Sequence, residues 1–272
     1  MSNQNNRNQP QQFRLNKFLA ERLGLSRREA DDMISAGKVT IDGKKAVLGA
    51  RIDKTSKVCY NDKTVPFDTE FLYIAMNKPV GYVCSRRAQG DAPTIYELLP
   101  KDYAKLKTVG RLDKDSSGLI LLTNDGDFAF QMTHPKFHKE KIYEVELDHP
   151  LEPLHQQMIS DFGVMLEDGP SKFTVIRIDG PKYTVILSEG RNRQIRRTFA
   201  AIGYKVVSLH RVQFGVFGLG DLSDGEYQII NKKEIGIHFW FLFHTSFFYW
   251  TFLSKRKVQG CVIIKPWTLY LV

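Results

Sequence analysis

The feature that most constrains the fold is an irregular succession of strand-like segments through the middle of the chain. Apolar runs or alternating apolar and polar residues predict strands over 71–78, 119–122, 141–147, 173–178, 183–188 and 205–215. Helical segments are predicted between some of these strands, but not in a regular βαβ order. This arrangement predicts an α+β fold whose sheet is largely antiparallel.

The first 60 residues predict a smaller unit of two helices and a hairpin. Apolar residues recur at helical spacing over 15–23, and Gly24 is a plausible end of that helix. Ser26 and Glu29 form a capping-box pattern, which predicts a second helix running to about residue 36. A strand over 39–41 is followed by an Asp-Gly turn and a return strand over 44–47.

The net charge of +9 is unevenly distributed along the chain. Residues 1–60 carry +6, residues 61–231 carry −2 and residues 232–272 carry +5. All three tryptophans lie in the last part, which marks a composition break near Asn231. We therefore expect a disordered lead-in, a small basic unit, a linker, a larger catalytic unit and an atypical aromatic tail, over 1–12, 13–60, 61–71, 72–231 and 232–272.

Composition excludes several protein classes. The 42% hydrophobic and 25% charged residues are ordinary for a globular protein and exclude a collagen-like, fully disordered or polytopic membrane protein. Three cysteines without a CxxC pair favour a reducing compartment, and the first residues form no signal peptide, so we expect a cytoplasmic location. The aromatic stretch 237–253 is at the lower length limit of a membrane helix, and a membrane anchor, a packed extension and a foreign reading-frame product all remain open for it.

Basic residues of the small unit lie at the ends of its predicted elements. Arg27 and Arg28 begin the second helix, where free backbone amides already favour phosphate. Each residue alone is typical of a solvated charged face, but the set predicts a surface that contacts an RNA backbone. The set is Arg14, Lys17, Arg27, Arg28, Lys38, Lys44 and Lys45.

Three short segments of the larger unit carry candidate chemistry: 110–113, 141–143 and 189–197. The last has four arginines within seven residues, and a guanidinium fork can hold a carboxylate ionised, as a nucleophile or base requires. Asp113 could instead cap a turn or open a calcium loop, although Asn124 stands where that loop needs a glutamate. Tyr143 fits either strand packing or stacking on a base.

Two sets of motifs resemble known families. RLNKFLA, the SRREA helix start and GKVTIDGK resemble an S4 RNA-binding domain over about residues 13–60. GRLDKDSSGLILLTNDG, HKEKIYEVEL and SEGRNRQIRRTFAAIGYKVVSLHR follow in the order found in the RsuA-type rRNA pseudouridine synthases. With the S4-like part, this second resemblance covers about residues 13–230.

The resemblance implies that a uridine of ribosomal RNA is isomerised to pseudouridine, with no cofactor and no metal. It implies that Asp113 is the catalytic carboxylate, Tyr143 the active-site aromatic residue and Arg196 the basic partner of the aspartate. From their position and charge, we expect Arg111, Arg191 and Arg193 to contact the phosphates that flank the target uridine.

Several alternatives remain open at this point. The carboxylate could attack the ribose, attack the base or remove a sugar proton, and the base must leave its stack to be reached. The runner-up function is a non-catalytic S4-type RNA-binding or ribosome-assembly factor. The expected partner is ribosomal RNA or a subunit assembly intermediate, bound by a monomer. The choice between small and large subunit is open, and loops such as 86–94 are candidates for setting it.

Overall fold

The computed structural model describes residues 12–68, 70–86, 89–231 and 235. These residues form two compact units. The first contains the chain up to Phe71 together with Asn124–Gly126, and the second contains Leu72–Thr123 and the chain from Asp127 onward.

Two predicted parts fall almost wholly outside the described residues. They are the lead-in 1–12, of which only Gln12 is described, and the tail 232–272, of which only Ile235 is described. No helix in the described part of the chain is long and apolar enough to cross a membrane.

Two short helices organise the first unit. They are α1 (Leu15–Arg22) and α2 (Arg27–Ser35). The predicted capping box is confirmed, because the Glu29 amide donates to Ser26 Oγ at 3.1 Å and the Ser26 amide donates to the Glu29 carboxylate at 2.7 Å. This reciprocal pair satisfies two amides that the first helical turn leaves free, so it fixes where α2 begins.

Six short strands complete the first unit. They are β1 (Phe13–Arg14), β2 (Val39–Ile41), β3 (Lys44–Lys45), β4 (Arg51–Ile52), β5 (Val58–Tyr60) and β6 (Lys63–Thr64). Strands β3, β2, β5 and β6 form one antiparallel sheet in that order, and β1 pairs with β4. The predicted hairpin over 39–47 is confirmed as β2 and β3.

The segment predicted as a linker, 61–71, lies within this unit, which extends to Phe71. Strand β6 pairs with β5, and Val65 is 5% exposed within the unit's core. The Phe67 ring lies 4.5 Å from the ring of Phe18 on α1. The three apolar residues Val65, Phe67 and Phe71 give no periodicity in this polar stretch, yet packing of Val65 and Phe67 against the core of the unit favours an ordered strand and turn.

A mixed sheet dominates the second unit. Its strands are β7 (Tyr73–Lys78), β8 (Lys107–Val109), β9 (Ser117–Thr123), β10 (Lys141–Leu147), β13 (Thr174–Asp179), β14 (Lys182–Leu187), β15 (Val206–Phe214), β16 (Phe217–Gly218) and β17 (Tyr227–Ile229). The main order is β13-β14-β10-β15-β9-β7-β17, with β8 beside β9 and β16 beside β15. Only the β9–β15 pairing is parallel in the described sheet, which confirms the α+β class with a largely antiparallel sheet.

Helices and a separate hairpin surround this sheet. The α-helices are α3 (Gly126–Thr133), α4 (Pro153–Gln157) and α5 (Gln194–Ala201). A π-helical turn (Met158–Phe162) continues α4, and 3₁₀ turns span Ile95–Leu98, Lys101–Lys105 and Pro135–Phe137. The hairpin consists of β11 (Val164–Leu166) and β12 (Gly169–Ser171).

The central strands β9 and β15 position the site. Every residue of β9 is buried, as a strand covered on both faces requires. Gly118 pairs with Arg211 across the parallel contact at φ +104°, and a Cβ on Gly118 would overlap the Arg211 backbone. A glycine is therefore required for β9 and β15 to approach this closely.

Candidate active site

The three segments that the sequence singles out meet at one cavity in the second unit. The cavity has a volume of about 340 Å³, and its lining includes the 110–113 segment, the start of β10, the loop entering α5 and the end of β15. Asp113 and Tyr143 both line it, as do Arg111, Arg191 and Arg193. Arg196 is not among the described residues that line it.

The turn that carries Asp113 is held by hydrogen bonds from its surroundings. The Ser116 amide donates to the Asp113 carbonyl at 3.1 Å, and the Gly81 amide donates to the Lys114 carbonyl at 2.8 Å. The ammonium of Lys78, which is fully buried, donates to the Ser116 carbonyl at 2.6 Å. These bonds fix the backbone that follows Asp113, a residue that lines the cavity.

An arginine at the start of α5 connects Asp113 with a second carboxylate. Arg193 forms a two-pronged pair with Asp115, both distances being 2.9 Å, and its Nη1 lies 3.6 Å from Asp113 Oδ2. The hydrogen bonds from Arg193, followed by the charge of Arg196, lower the pKa of Asp115. Arg193 has φ +47°, a left-handed conformation that is rare for a side chain of this size.

Arg196, predicted as the basic partner of Asp113, has its described ion pair with Asp115, and its role towards Asp113 remains a prediction. Its Nε lies 3.4 Å from Asp115 Oδ2, and its guanidinium donates to the carbonyls of Asp115 at 2.7 Å and Val206 at 2.8 Å. The described ion pair of Asp113 is with Arg193. Arg196 lies within the first turn of α5, where it holds the chain after Asp113 and contacts the carboxylate two residues on.

Arg191, predicted to contact a phosphate, is engaged by protein acceptors in the structure, and its phosphate contact remains a prediction. Its guanidinium donates to the Asp168 carboxylate and the Gly169 carbonyl, both at 3.1 Å, and to the Pro170 carbonyl at 2.8 Å. Arg197 forms a fork with the same Asp168 carboxylate at 2.8 and 2.9 Å. The turn between β11 and β12 offers acceptors that occupy Arg191, just as Asp115 occupies Arg193.

Of the three arginines expected at the flanking phosphates, Arg111 and Arg193 are exposed while lining the cavity, and Arg193 is paired with Asp115. The phosphate contact of Arg111 at the entrance of the cavity remains a prediction.

Tyr143 lies in the wall of the cavity and is 8% exposed. It stands on β10 directly opposite Arg211 of β15. Arg211 is 2% exposed, and its guanidinium carbon lies 6.0 Å from the Tyr143 ring centre and 4.9 Å from that of Phe214. Arg211 was missed by the sequence reasoning, although an arginine two residues after the inward-facing Leu209 in a strand pattern is a usable signal.

Lys141, in the singled-out segment 141–143, is a further cation in the cavity lining, and the sequence reasoning gave it no role. Its ammonium lies 5.2 Å from the Phe214 ring centre and donates to the carbonyls of Lys139 and Glu189 at 3.2 and 3.3 Å. Burial, followed by the charge of Arg211, lowers the pKa of Lys141 to about 8.

The basic residues predicted to contact RNA in the first unit are mostly solvent-exposed. Arg14, Arg27, Arg28, Lys38, Lys44 and Lys45 are exposed. Lys17 is half-buried, with its ammonium 3.9 Å from Glu21. Because α2 begins at Arg27, both arginines of the pair stand in its first turn, where anions bind favourably.

The calcium-loop interpretation of the Asp113 segment has no support from the geometry. No group of three or more His, Cys, Asp or Glu that could hold a metal occurs in the described ranges. Asp115 is paired with arginines, and 119–122 is a buried part of β9.

Two family models match the chain. Residues 72–201 match the RNA pseudouridylate synthase family, and residues 13–54 match the S4 domain. Among curated relatives, Ribosomal small subunit pseudouridine synthase A of Pasteurella multocida is 41% identical over 229 residues, covering 82% of this chain and 98% of the relative. The protein of the same description from Escherichia coli K12 is 37% identical over 228 residues with the same coverage.

A solved structure described as a pseudouridylate synthase has the same organisation. It is 37% identical, covers 82% of this chain and 98% of its own, and superposes with a TM-score of 0.61. The likeness therefore extends through both described units, in sequence as well as in fold. The chain belongs to the RsuA-type group of the RNA pseudouridylate synthase family, with an S4 domain preceding the synthase domain.

Proposed function

We propose that this protein isomerises a specific uridine of small-subunit ribosomal RNA to pseudouridine. The observation that carries the proposal is one cavity lined by both Asp113 and Tyr143, with Arg193 3.6 Å from the carboxylate. The small-subunit assignment is supported by relatives of that description, of which the chain covers 98%.

The cavity suits a single extruded base. Its volume of about 340 Å³ is at the small end of the range for ligand sites, which accommodates one nucleoside but not a stacked pair. Uracil within a helix cannot be reached, so the target nucleotide must be flipped out of its stack. Tyr143 then offers an aromatic face to the base, while its hydroxyl gives the ring a polar edge.

Asp113 acts on that nucleoside as a carboxylate. It is partly exposed, lines the cavity and lies 3.6 Å from the Arg193 guanidinium. Isomerisation breaks the C1′–N1 bond, rotates the base and forms a C1′–C5 bond, with a proton leaving C5 and one added to N1. The carboxylate assists by attacking the ribose, attacking the base or removing a sugar proton.

The non-catalytic alternative is not favoured by the site. A protein that only binds RNA through its S4 domain has no use for a carboxylate that lines a base-sized cavity, 3.6 Å from an arginine and on a turn fixed by hydrogen bonds. Nor does RNA binding require the left-handed Arg193 that connects Asp113 to Asp115.

The S4 domain supplies the proposed hold on the RNA backbone. Its exposed cations suit phosphates, and binding through them should weaken steeply with salt. Ribosomal RNA, free or in an assembly intermediate, is the proposed partner, and the cytoplasmic location expected from the cysteines agrees with that partner. The proposed binding unit is a monomer.

Incubation of the full chain with unmodified ribosomal RNA tests this function. Small-subunit RNA, large-subunit RNA and partly assembled small-subunit particles are offered separately, and carbodiimide treatment followed by reverse transcription locates any pseudouridine. We expect one new reverse-transcription stop, in small-subunit RNA or in the partly assembled small-subunit particle. New stops in large-subunit RNA alone would overturn the subunit assignment, and none in any substrate would overturn the activity.

A further inference from the structure

Arg211 is a buried cation that the proposed reaction has not yet used. It is 2% exposed, and no carboxylate of the described residues forms an ion pair with it. Its Nη2 is buried and donates no hydrogen bond within the described structure. Burying a charge without a partner is costly, so such groups concentrate at functional sites.

The guanidinium of Arg211 is held rigidly. Its Nε donates to the Leu119 carbonyl at 2.8 Å, and its guanidinium carbon lies 4.9 Å from the Phe214 ring centre and 6.0 Å from that of Tyr143. The strand beneath it packs directly against Gly118. A charge that cannot reorient acts without reorganisation when an opposite charge develops beside it.

The ionisable groups around Arg211 leave its charge uncompensated. The ammonium of Lys141 lies over the same Phe214 ring and is itself basic. The charge of Arg211 contributes to lowering the pKa of Lys141. Burial raises the pKa of the Cys84 thiol, so this neighbour is neutral at pH 7. The part of the cavity wall formed by β10 and β15 is therefore electropositive.

We propose that Arg211 stabilises the negative charge that develops on the uracil ring, by donating its unbonded Nη2–H to a carbonyl oxygen of the flipped base. The inference rests on the proposed function and adds to it a residue that contacts the reacting base. Tyr143, stacked on the base, stands directly opposite Arg211, which brings the donor to the edge of the ring.

All three routes open to Asp113 place that charge on uracil. When the carboxylate attacks C1′, the C1′–N1 electron pair leaves with N1, and the anion spreads to O2 and O4. When a C2′ proton is removed, elimination sends the same pair to N1. When the carboxylate adds to C6, the ring electrons move to O4. One fixed cation at the ring edge serves each route.

Substitution of Arg211 in the full chain, combined with a change in the base, tests the proposal. Single-turnover consumption is measured for RNA carrying uridine and for RNA carrying 5-fluorouridine at the target, where fluorine itself withdraws charge from the ring. Arg211→Gln should slow uridine consumption by about a hundredfold, as loss of an oxyanion donor does, but 5-fluorouridine consumption by only about tenfold. Arg177→Gln, an exposed change of the same charge, is the matched control and should slow neither.

An equal loss on both substrates would mean a merely structural role and overturn the proposal. Near-normal turnover by Arg211→Gln would overturn it too. Arg211→Lys keeps the charge without the fork and should slow uridine less than Arg211→Gln does. If Arg211→Gln does not fold, Arg211→Lys is tested instead, and it should slow the consumption of uridine more than that of 5-fluorouridine. Pseudouridine formation by the wild-type protein is measured separately, so a failure of the proposed function can be distinguished from a failure of the Arg211 proposal.

Discussion

Arg193 offers a sharp test of how the site is assembled, because two roles for it predict opposite kinetics. A phosphate ligand contributes to RNA affinity, whereas a residue that positions Asp113 contributes to the chemical step. The structure shows its guanidinium engaged by Asp115 and 3.6 Å from Asp113. We therefore expect Arg193→Gln to slow catalysis while leaving RNA affinity nearly unchanged.

The size of the effect follows from the distance. Two unit charges 3.6 Å apart attract by about 1 kcal/mol in bulk water and about 5 kcal/mol at an effective dielectric constant of 20. The side chains of Asp113 and Arg193 are 35% and 43% exposed, so solvent screening places the value near the lower limit. A loss of about 1 to 2 kcal/mol in the transition state slows the reaction about five- to thirtyfold.

The assay separates binding from chemistry. Filter binding gives Kd for the target RNA, and single-turnover pseudouridine formation at saturating enzyme gives the chemical rate. Arg111→Gln is the matched comparison, since this exposed arginine should weaken Kd and leave the saturated rate unchanged. A weaker Kd with an undiminished rate for Arg193→Gln would refute the positioning role.

Three further predictions concern the packing of Gly118, the ionisation of Lys141 and RNA binding by the S4 domain. Gly118→Ala should destabilise the synthase domain by about 3 kcal/mol or more in denaturant melts, because its Cβ overlaps the Arg211 backbone; an unchanged midpoint would contradict this. The Lys141 pKa is lowered on folding, so the unfolded chain binds more protons between about pH 8 and 10.5, and stability there should rise with pH in wild type more than in Lys141→Met. Arg27→Ala with Arg28→Ala should weaken RNA binding and its salt dependence, and an unchanged salt slope would argue against phosphate contact.

Local patterns made much of the fold predictable. The Ser26–Glu29 box, the 39–47 hairpin and the alternating strand β10 depend on neighbours within a few residues, so the sequence displays them directly. The segments that form the cavity were also identifiable, because an arginine cluster in a nearly neutral region is unusual. Strand β6 was missed because only its tertiary contacts explain it.

Pairings inside the site were less predictable, since they depend on contacts between distant parts of the chain. Asp168 lies 29 residues before Arg197, and no spacing rule indicates that this carboxylate and the turn after it occupy Arg191 and Arg197. The left-handed backbone of Arg193 directs that residue, rather than Arg196, towards Asp113. Arg211 faces the cavity because of the β15 register, which sequence periodicity suggests only weakly.

The most direct test of the account is pseudouridine formation by Asp113→Asn. This change keeps the shape of the side chain and removes its charge, and Asp102→Asn at an exposed position is the matched control. Carbodiimide sequencing of small-subunit RNA should show no pseudouridine at the target with Asp113→Asn, normal modification with Asp102→Asn, and RNA binding by both. Near-normal modification by Asp113→Asn would contradict the central claim that this carboxylate carries the reaction.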